Sequence, residues 1–366
     1  MPVLFSAVVL AAVTFPIPDA VTSHPAPEKN VGKVKAVFIE SVPWKGKDTR
    51  FFAYYGLPTG ASATNRVPGI VLVHGGGGTA FFSWVKTWNA RGYAAIAMDN
   101  CGGVPGTSTH CPRHPRHAWS GPNGWGCFED EGLAPEDQWM YHAVESVIRS
   151  HTFLRKLPEV DAARIGVTGI SWGGVLTAVV CGVDPRFAFA VPVYGCGNLR
   201  GHSVWSSQVG SRWDALWDPL QYVSRCRIPT LWCTGTNDHF FPLDSFVMTA
   251  LAAGDPLFSI KVRMIHAHPP AGDPPEITAF ADSLVRGAVQ LNARPISREE
   301  WVFTESSSTN WESRPFRSSG ERPMAATYKF RNRQTADGLV LSELGSPGEC
   351  AFDRSVMSDA RERVWH

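Results

Sequence analysis

A chain of 366 residues with 44% hydrophobic side chains is long enough to bury one large core. Its 34 basic and 33 acidic side chains nearly cancel, so no net field holds a polyanion and nucleic acid is not an expected partner. Beyond the N-terminus no segment approaches the roughly eighteen uninterrupted apolar residues of a membrane helix, so stable membrane insertion is not expected either.

In chain order, an apolar run at residues 3–13 leads into Pro16-Ile17-Pro18-Asp19-Ala20. It resembles a secretory signal peptide that lacks a basic head, and residues 1–30 read as signal peptide and leader. Export to the periplasm or the medium is the expected localisation, with the cytoplasm as the alternative. Residues 33–44 and 49–57 read as strands joined at Lys45-Gly46-Lys47-Asp48, a hairpin turn. Continuous apolar runs at 69–73 and 93–98 suit strands buried on both faces. Between them, residues 80–91 have helical length and stop at Gly92. An amphipathic stretch at 136–157 ends before Pro158, and the strand-like Arg164-Ile165-Gly166-Val167-Thr168 leads to Ser171 and a helix at 173–181. Further strands are expected at 188–194, 230–234 and 259–264, with helices at 242–253 and 276–291. Such alternation predicts an α/β fold, a mostly parallel central sheet flanked by helices, within residues 31–293.

Two segments stand outside that rhythm. Residues 100–132 are rich in Gly, Pro, His, Cys and Trp without periodicity. So long a loop in a compact domain usually serves function, and an inserted cap over the active site is expected. From 294 to 366 the chain turns polar, which predicts a poorly ordered tail with no assigned role. The eight cysteines, Cys101, Cys111, Cys127, Cys181, Cys196, Cys226, Cys233 and Cys350, include no CxxC pair, so no metal centre or other cofactor is expected. In an exported chain Cys101, Cys111 and Cys127 could staple their shared loop, whereas Cys181 and Cys233 read as small buried hydrophobes.

The chemistry centres on Gly169-Ile170-Ser171-Trp172-Gly173, set between an expected strand and an expected helix. A serine hydroxyl is a poor nucleophile unless a base and an orienting acid stand behind it. Glycines on both sides let strand and helix close around a strained serine backbone, a nucleophile elbow, whereas a plain glycine-rich turn would be the bland reading. Val73-His74-Gly75-Gly76-Gly77-Gly78 follows a buried strand and supplies amides for an oxyanion hole, with Trp172 N–H as one donor and Gly76 or Gly77 as the other. A phosphate-binding loop would need a following Lys-Ser/Thr that is absent. His74 reads as a brace for this loop.

Thr234-Gly235-Thr236-Asn237-Asp238-His239 lies after an expected strand, and Asp238 is the candidate acid, with Asp244 in reserve. An Asp there could equally be an Asx-turn former. Ile265-His266-Ala267-His268-Pro269-Pro270 offers two bases. His266 leaves the strand first and is followed by a small residue, so it is preferred over His268. His239 reads as a pocket residue. His110, His114 and His117 in the loop lack the spacing of one helical face, and a solvated loop is preferred to a metal site.

Together these residues resemble the α/β-hydrolases, in the branch of acetyl xylan esterases, dienelactone hydrolases and prolyl-oligopeptidase-like enzymes. The likeness spans residues 34–291 and also uses Val193-Tyr194-Gly195-Cys196-Gly197. It implies the α/β-hydrolase fold and a Ser171, Asp238, His266 triad in that chain order. It further implies cleavage of carboxylic esters, small-molecule or carbohydrate, through an acyl-enzyme. An acetylated polysaccharide suits an exported protein with an aromatic loop. Two alternatives stand beside it. One is a prolyl-oligopeptidase-like aminoacyl peptidase, whose members usually carry a propeller that the residues before the domain are too few to form. The other is a non-catalytic binding protein on the same fold.

Overall fold

The computed structural model describes residues 13–106, 114–124, 128–201, 203–266 and 273–287, and strands within 297–352. The hairpin expected near the N-terminus is present as β2 (Lys35–Glu40) and β3 (Arg50–Gly56), paired antiparallel with Phe38 opposite Phe52. A short β1 (Ser23–Pro25) extends its outer edge. The apolar runs form β4 (Val67–Val73) and β5 (Ala94–Met98), in which Ile70, Val71, Leu72, Ile96 and Met98 are fully buried. Strands without a wet face belong in the middle of a layered fold.

With β6 (Val160–Ile170), β7 (Ala190–Val193), β8 (Leu231–Asn237) and β9 (Leu257–Ile265) they make a parallel block in the order β5-β4-β6-β7-β8-β9. Its connections carry α1 (Phe82–Ala90), α2 (Trp139–Arg155), α3 (Trp172–Cys181), α4 (Ser211–Trp217) and α5 (Leu243–Ala252), and α6 (Pro275–Val285) follows β9. All but α4 were legible as helical segments; α4 is seven residues long, too short to show a period. Among the described residues no helix is long and apolar enough to cross a membrane.

Two boundaries differ from the sequence reading. The folded body begins by Val13, well inside the expected leader. The Phe15 ring stacks on Tyr141 at 5.2 Å and meets Tyr222 at 6.2 Å. The Pro18 carbonyl accepts hydrogen bonds from Thr152 Oγ1 at 3.1 Å and Arg186 at 3.3 Å. These contacts pack residues 13–18 against the body.

The second difference lies beyond Arg294. Instead of a structureless tail, the chain adds β10 (Ser297–Ser307), β11 (Asn310–Pro315), β12 (Ala326–Gln334), β13 (Val340–Leu344) and β14 (Ala351–Phe352). They pair antiparallel with one another, and β13 joins the sheet beside β9 through Ser342 and Phe258. Antiparallel neighbours need only short turns and no crossover helix, so strands as mixed as Arg298-Glu299-Glu300-Trp301-Val302-Phe303 show neither apolar runs nor alternation with helices.

Helix α2 is buried along most of its length and carries Glu145, which is fully buried. Its Oε2 accepts from Arg149 Nε at 2.9 Å, while Oε1 has no partner among the described residues. Burial pushes the Glu145 carboxyl up to about 7, against the pull of Arg149. A carboxyl whose folded value lies above its unfolded one favours the folded state at low pH, and that contribution is lost as pH rises from about 4.5 to 7. Thermal denaturation across this window should therefore show a falling midpoint, and Glu145→Gln should flatten the fall. An unchanged slope in the variant would assign the loss to another group.

Candidate active site

Ser171 sits between β6 and α3 with φ 60 and ψ −120, a conformation a non-glycine residue adopts only under constraint. Three backbone hydrogen bonds hold it there. Its N–H donates to Val193 O on β7 at 2.8 Å, and its carbonyl accepts from Gly174 N at 2.8 Å and Val175 N at 3.1 Å. The helix start also rests on the end of β4: a Cβ at Gly173 would fall 2.1 Å from Val73 O. This is the elbow expected from the motif, and the glycine is there for close approach.

Asp238 follows β8 and His266 follows β9, so both arrive at the same end of the parallel block as Ser171. His266 Nε2 lies 3.0 Å from Ser171 Oγ, and Nδ1 lies 2.8 Å from Asp238 Oδ2. Asp238 is nearly fully buried, while its histidine partner keeps about a tenth of its side-chain surface exposed. Asp238 Oδ1 accepts from Phe240 N at 2.8 Å and Phe241 N at 3.0 Å. Asp238 thus shapes the turn with one oxygen and holds His266 with the other. Asp244 lies instead in the first turn of α5, where its Oδ1 accepts from Ser245 N at 2.7 Å. The alternative base His268 lies outside the described residues.

The glycine-rich loop runs directly against the serine: a Cβ on Gly75 would fall 2.7 Å from Ile170 O and 2.9 Å from Ser171 Cβ. His74 braces this loop, as expected. Its Nε2 accepts from Asn100 N–H at 2.9 Å, so Nδ1 carries the proton and donates to Gly75 O at 2.7 Å. Burial holds the His74 ring below the ordinary histidine range, which keeps it neutral and this tautomer in place. Gly78 N–H donates to the same Gly75 carbonyl at 3.0 Å, closing a tight turn. With that carbonyl pinned on His74, the planar trans peptide turns the Gly76 N–H to the opposite side.

Behind the loop, Asp99 at the end of β5 accepts from Thr79 Oγ1 at 2.8 Å, Cys101 N at 2.9 Å and Gly103 N at 2.8 Å. This ties the glycine loop to the start of the 100–132 insertion. The cap expectation falls in part on residues 107–113 and 125–127, which lie outside the described residues, as does His110. The described parts buttress the body. Trp119 O accepts from Arg50 N at 2.9 Å, His117 packs on Phe38 at 5.0 Å, and Arg116 donates to Cys101 O at 2.8 Å. Burial pushes the His117 ring down to about 4. His114 Nδ1 accepts from Gly106 N at 3.2 Å. Among the described residues no group of three or more His, Cys, Asp or Glu is placed to hold a metal ion.

The sequence reading left the aromatic surroundings of the site unassigned. The Tyr194 ring, at the end of β7 with φ 64, lies 4.7 Å from the His266 ring, and Phe240 lies 4.9 Å from it. Trp205 stacks on Phe240 at 5.6 Å and meets Trp172 at 5.3 Å. Phe128 and Trp213 close on Trp172 from 5.7 and 6.1 Å. The available signal was position: Tyr194 and Phe240 directly follow the ends of parallel strands, where sites of α/β sheets lie. His239, expected as a pocket residue, is exposed, with its ring 6.4 Å from that of His266.

A parallel sheet with a strained serine elbow, and with a histidine and an aspartate brought to it from later strand ends, is the arrangement of the α/β-hydrolase fold. Residues 30–196 match the family model for acetyl xylan esterase. Acetyl xylan esterases from a Paenibacillus species and a Thermoanaerobacterium species share the fold at TM-scores of 0.56 and 0.56, with 20% and 19% identity, over 72% of this chain and 88% of each of theirs. The acylaminoacyl peptidase of Pyrococcus horikoshii aligns at a TM-score of 0.50 and 17% identity, over 70% of this chain and 49% of its own. A Bacillus subtilis protein described as an uncharacterised peptidase is 27% identical over 197 residues, 48% of this chain and 27% of that relative. The chain thus spans about a quarter of that relative's length. It has the α/β-hydrolase fold and is similar to acetyl xylan esterases and to peptidases of that fold.

The contact between Gly75 and Ser171 yields a direct test. Gly75→Ala should slow the labelling of Ser171 by a fluorophosphonate about 10²-fold, the scale of losing one oxyanion donor. His74→Ala, which frees the same peptide without a clash, should slow it by a smaller factor. Labelling of Gly75→Ala at the parent rate would remove this loop from the site.

Proposed function

We propose that this protein is a serine esterase that cleaves carboxylic esters through an acyl-enzyme. The observation that carries the reading is His266 bridging Ser171 and Asp238, at 3.0 and 2.8 Å. In this arrangement Asp238 accepts a hydrogen bond from His266 Nδ1–H, which leaves Nε2 unprotonated as the base that takes the proton of Ser171 Oγ. The serine oxygen attacks the ester carbonyl, and the developing oxyanion is met by the N–H groups of Trp172 and Gly76. Trp172 opens α3 at the positive end of its helix dipole. Gly76 is preferred to Gly77 because the His74 bond to Gly75 O aims its amide away from His74. His266 then protonates the departing alcohol, and a water activated by the same ring hydrolyses the acyl-enzyme.

The substrate class proposed is a short-chain ester of a carbohydrate, such as an acetylated sugar. The support for it is the acetyl xylan esterase family match over residues 30–196, with the half-buried Phe240 beside His266 as a ring that a sugar could meet. A second reading, aminoacyl peptidase, is favoured by the relative described as a peptidase.

Turnover of p-nitrophenyl acetate and acetylated xylo-oligosaccharide, set against alanine p-nitroanilide, separates the two. The esters should be the better substrates, and equal or faster anilide cleavage would reverse the order. Ser171→Ala and His266→Ala should each lower kcat by at least about 10⁴-fold, and Asp238→Asn by a similar or smaller factor, with the fold unchanged by circular dichroism. Absence of labelling of the parent protein by a fluorophosphonate would leave a non-catalytic binding protein.

A further inference from the structure

Two buried cysteines meet at the far end of the nucleophile helix. Cys181 is the last residue of α3, and Cys226 follows the turn at Val223–Arg225. Both are free thiols and both are buried. Each thiol is the side chain that most perturbs the other, so the two side chains lie side by side. The surrounding backbone is equally close: a Cβ at Gly182 would fall 2.0 Å from Tyr222 O. Each sulfur also has a carbonyl partner, Ala178 O at 3.1 Å for Cys181 and Ile228 O at 3.5 Å for Cys226. The other free cysteines differ. Burial pushes the thiols of Cys196 and Cys233 up, and the side chains that further perturb them are carboxylates and a lysine, not thiols. Cys101 is already disulfide-bonded, so this chain carries at least one oxidised cysteine pair.

We infer that Cys181 and Cys226 are a second disulfide site, which pins the C-terminal end of the nucleophile helix to the turn ahead of β8. The oxidant is a disulfide, either a small molecule or the active disulfide of a thiol oxidase. The Cys226 thiolate attacks one sulfur of that disulfide and releases the first thiolate. Cys181, losing its proton to solvent or to that thiolate, then attacks Cys226 Sγ and releases the second. Two protein thiols thus become one disulfide while one external disulfide becomes two thiols. Cys226 suits the first step, because the hydrogen bond from Cys181 lowers its thiol to about 7. Ser224, Arg225 and Arg227 around it are exposed, so local opening of this turn, or the folding step itself, admits the oxidant.

The bond closes a loop of roughly 45 residues, which restricts the unfolded chain and should raise the thermal midpoint by about 5 °C. It stands apart from the triad and acts on stability, so initial rates of ester cleavage at 25 °C should not change.

The test is a peptide map of the full chain after incubation with oxidised glutathione, denaturation, alkylation with iodoacetamide and digestion without reductant. The expected product is a peptide pair joined through Cys181 and Cys226 that separates only on reduction. In parallel, the change in midpoint between oxidised and phosphine-reduced protein is compared for the parent and Cys226→Ser. The Cys101 bond contributes to both, so the part missing in the variant reports this pair. Recovery of both cysteines in alkylated form, Cys226 joined to any other cysteine, or equal midpoint shifts in parent and variant would each overturn the inference. The map is made on the parent protein, so it decides the matter even if Cys226→Ser folds poorly.

Discussion

The backbone of Ser171, held in the left-handed region at the junction of β6 and α3, is the constraint around which the site is organised. Such a conformation costs on the order of 1–3 kcal/mol. Three backbone hydrogen bonds, each worth about 1 kcal/mol net, offset it. So does the close seating of α3 on the ends of β4 and β7. The strain persists because α3 is buried along its whole length and cannot shift without breaking the core. The same geometry that strains the residue raises its hydroxyl clear of the sheet, to where later strand ends can reach it.

Those later strands each contribute a group with two duties. Asp238 uses one oxygen to shape the turn at Phe240 and Phe241 and the other to hold His266, so the acid is positioned by the loop that it closes. His74 uses one ring nitrogen to accept from Asn100 and the other to hold Gly75, which couples the glycine loop to the end of β5. Neither histidine could exchange roles with the other: His74 has both nitrogens committed to backbone partners, whereas His266 has one directed at a hydroxyl.

Glu145 lies deep in α2 beside Arg149, and its raised carboxyl is the cost of a charged group in an apolar layer. Aromatic side chains fill the space beneath Trp172, where Trp205, Trp213 and Phe128 converge. That packing fixes the residue after the nucleophile, whose amide is assigned to the oxyanion. A strap from Val13 to Pro25, docked through Phe15 and Pro18, covers part of α2.

The sequence by itself determined the parallel block, the elbow at Ser171 and the pairing of an Asp and a His from later strand ends, because buried strands leave apolar runs and a nucleophile elbow needs glycine at set positions. The glycine loop was legible for the same reason, and so was the bracing role of His74. Three things were decided only by tertiary structure. The orientation of the Gly75–Gly76 peptide depends on a hydrogen bond from His74 to Gly75 O. The packing of Phe15 and Pro18 on the body was not legible, since an apolar, proline-rich composition does not say what it packs against. The strands beyond Arg294 were hidden because antiparallel pairing accepts mixed sequences and leaves no periodic mark. The residues whose placement was legible in sequence are those whose chemistry or backbone geometry admits few substitutes, whereas the others depend on what folds against them.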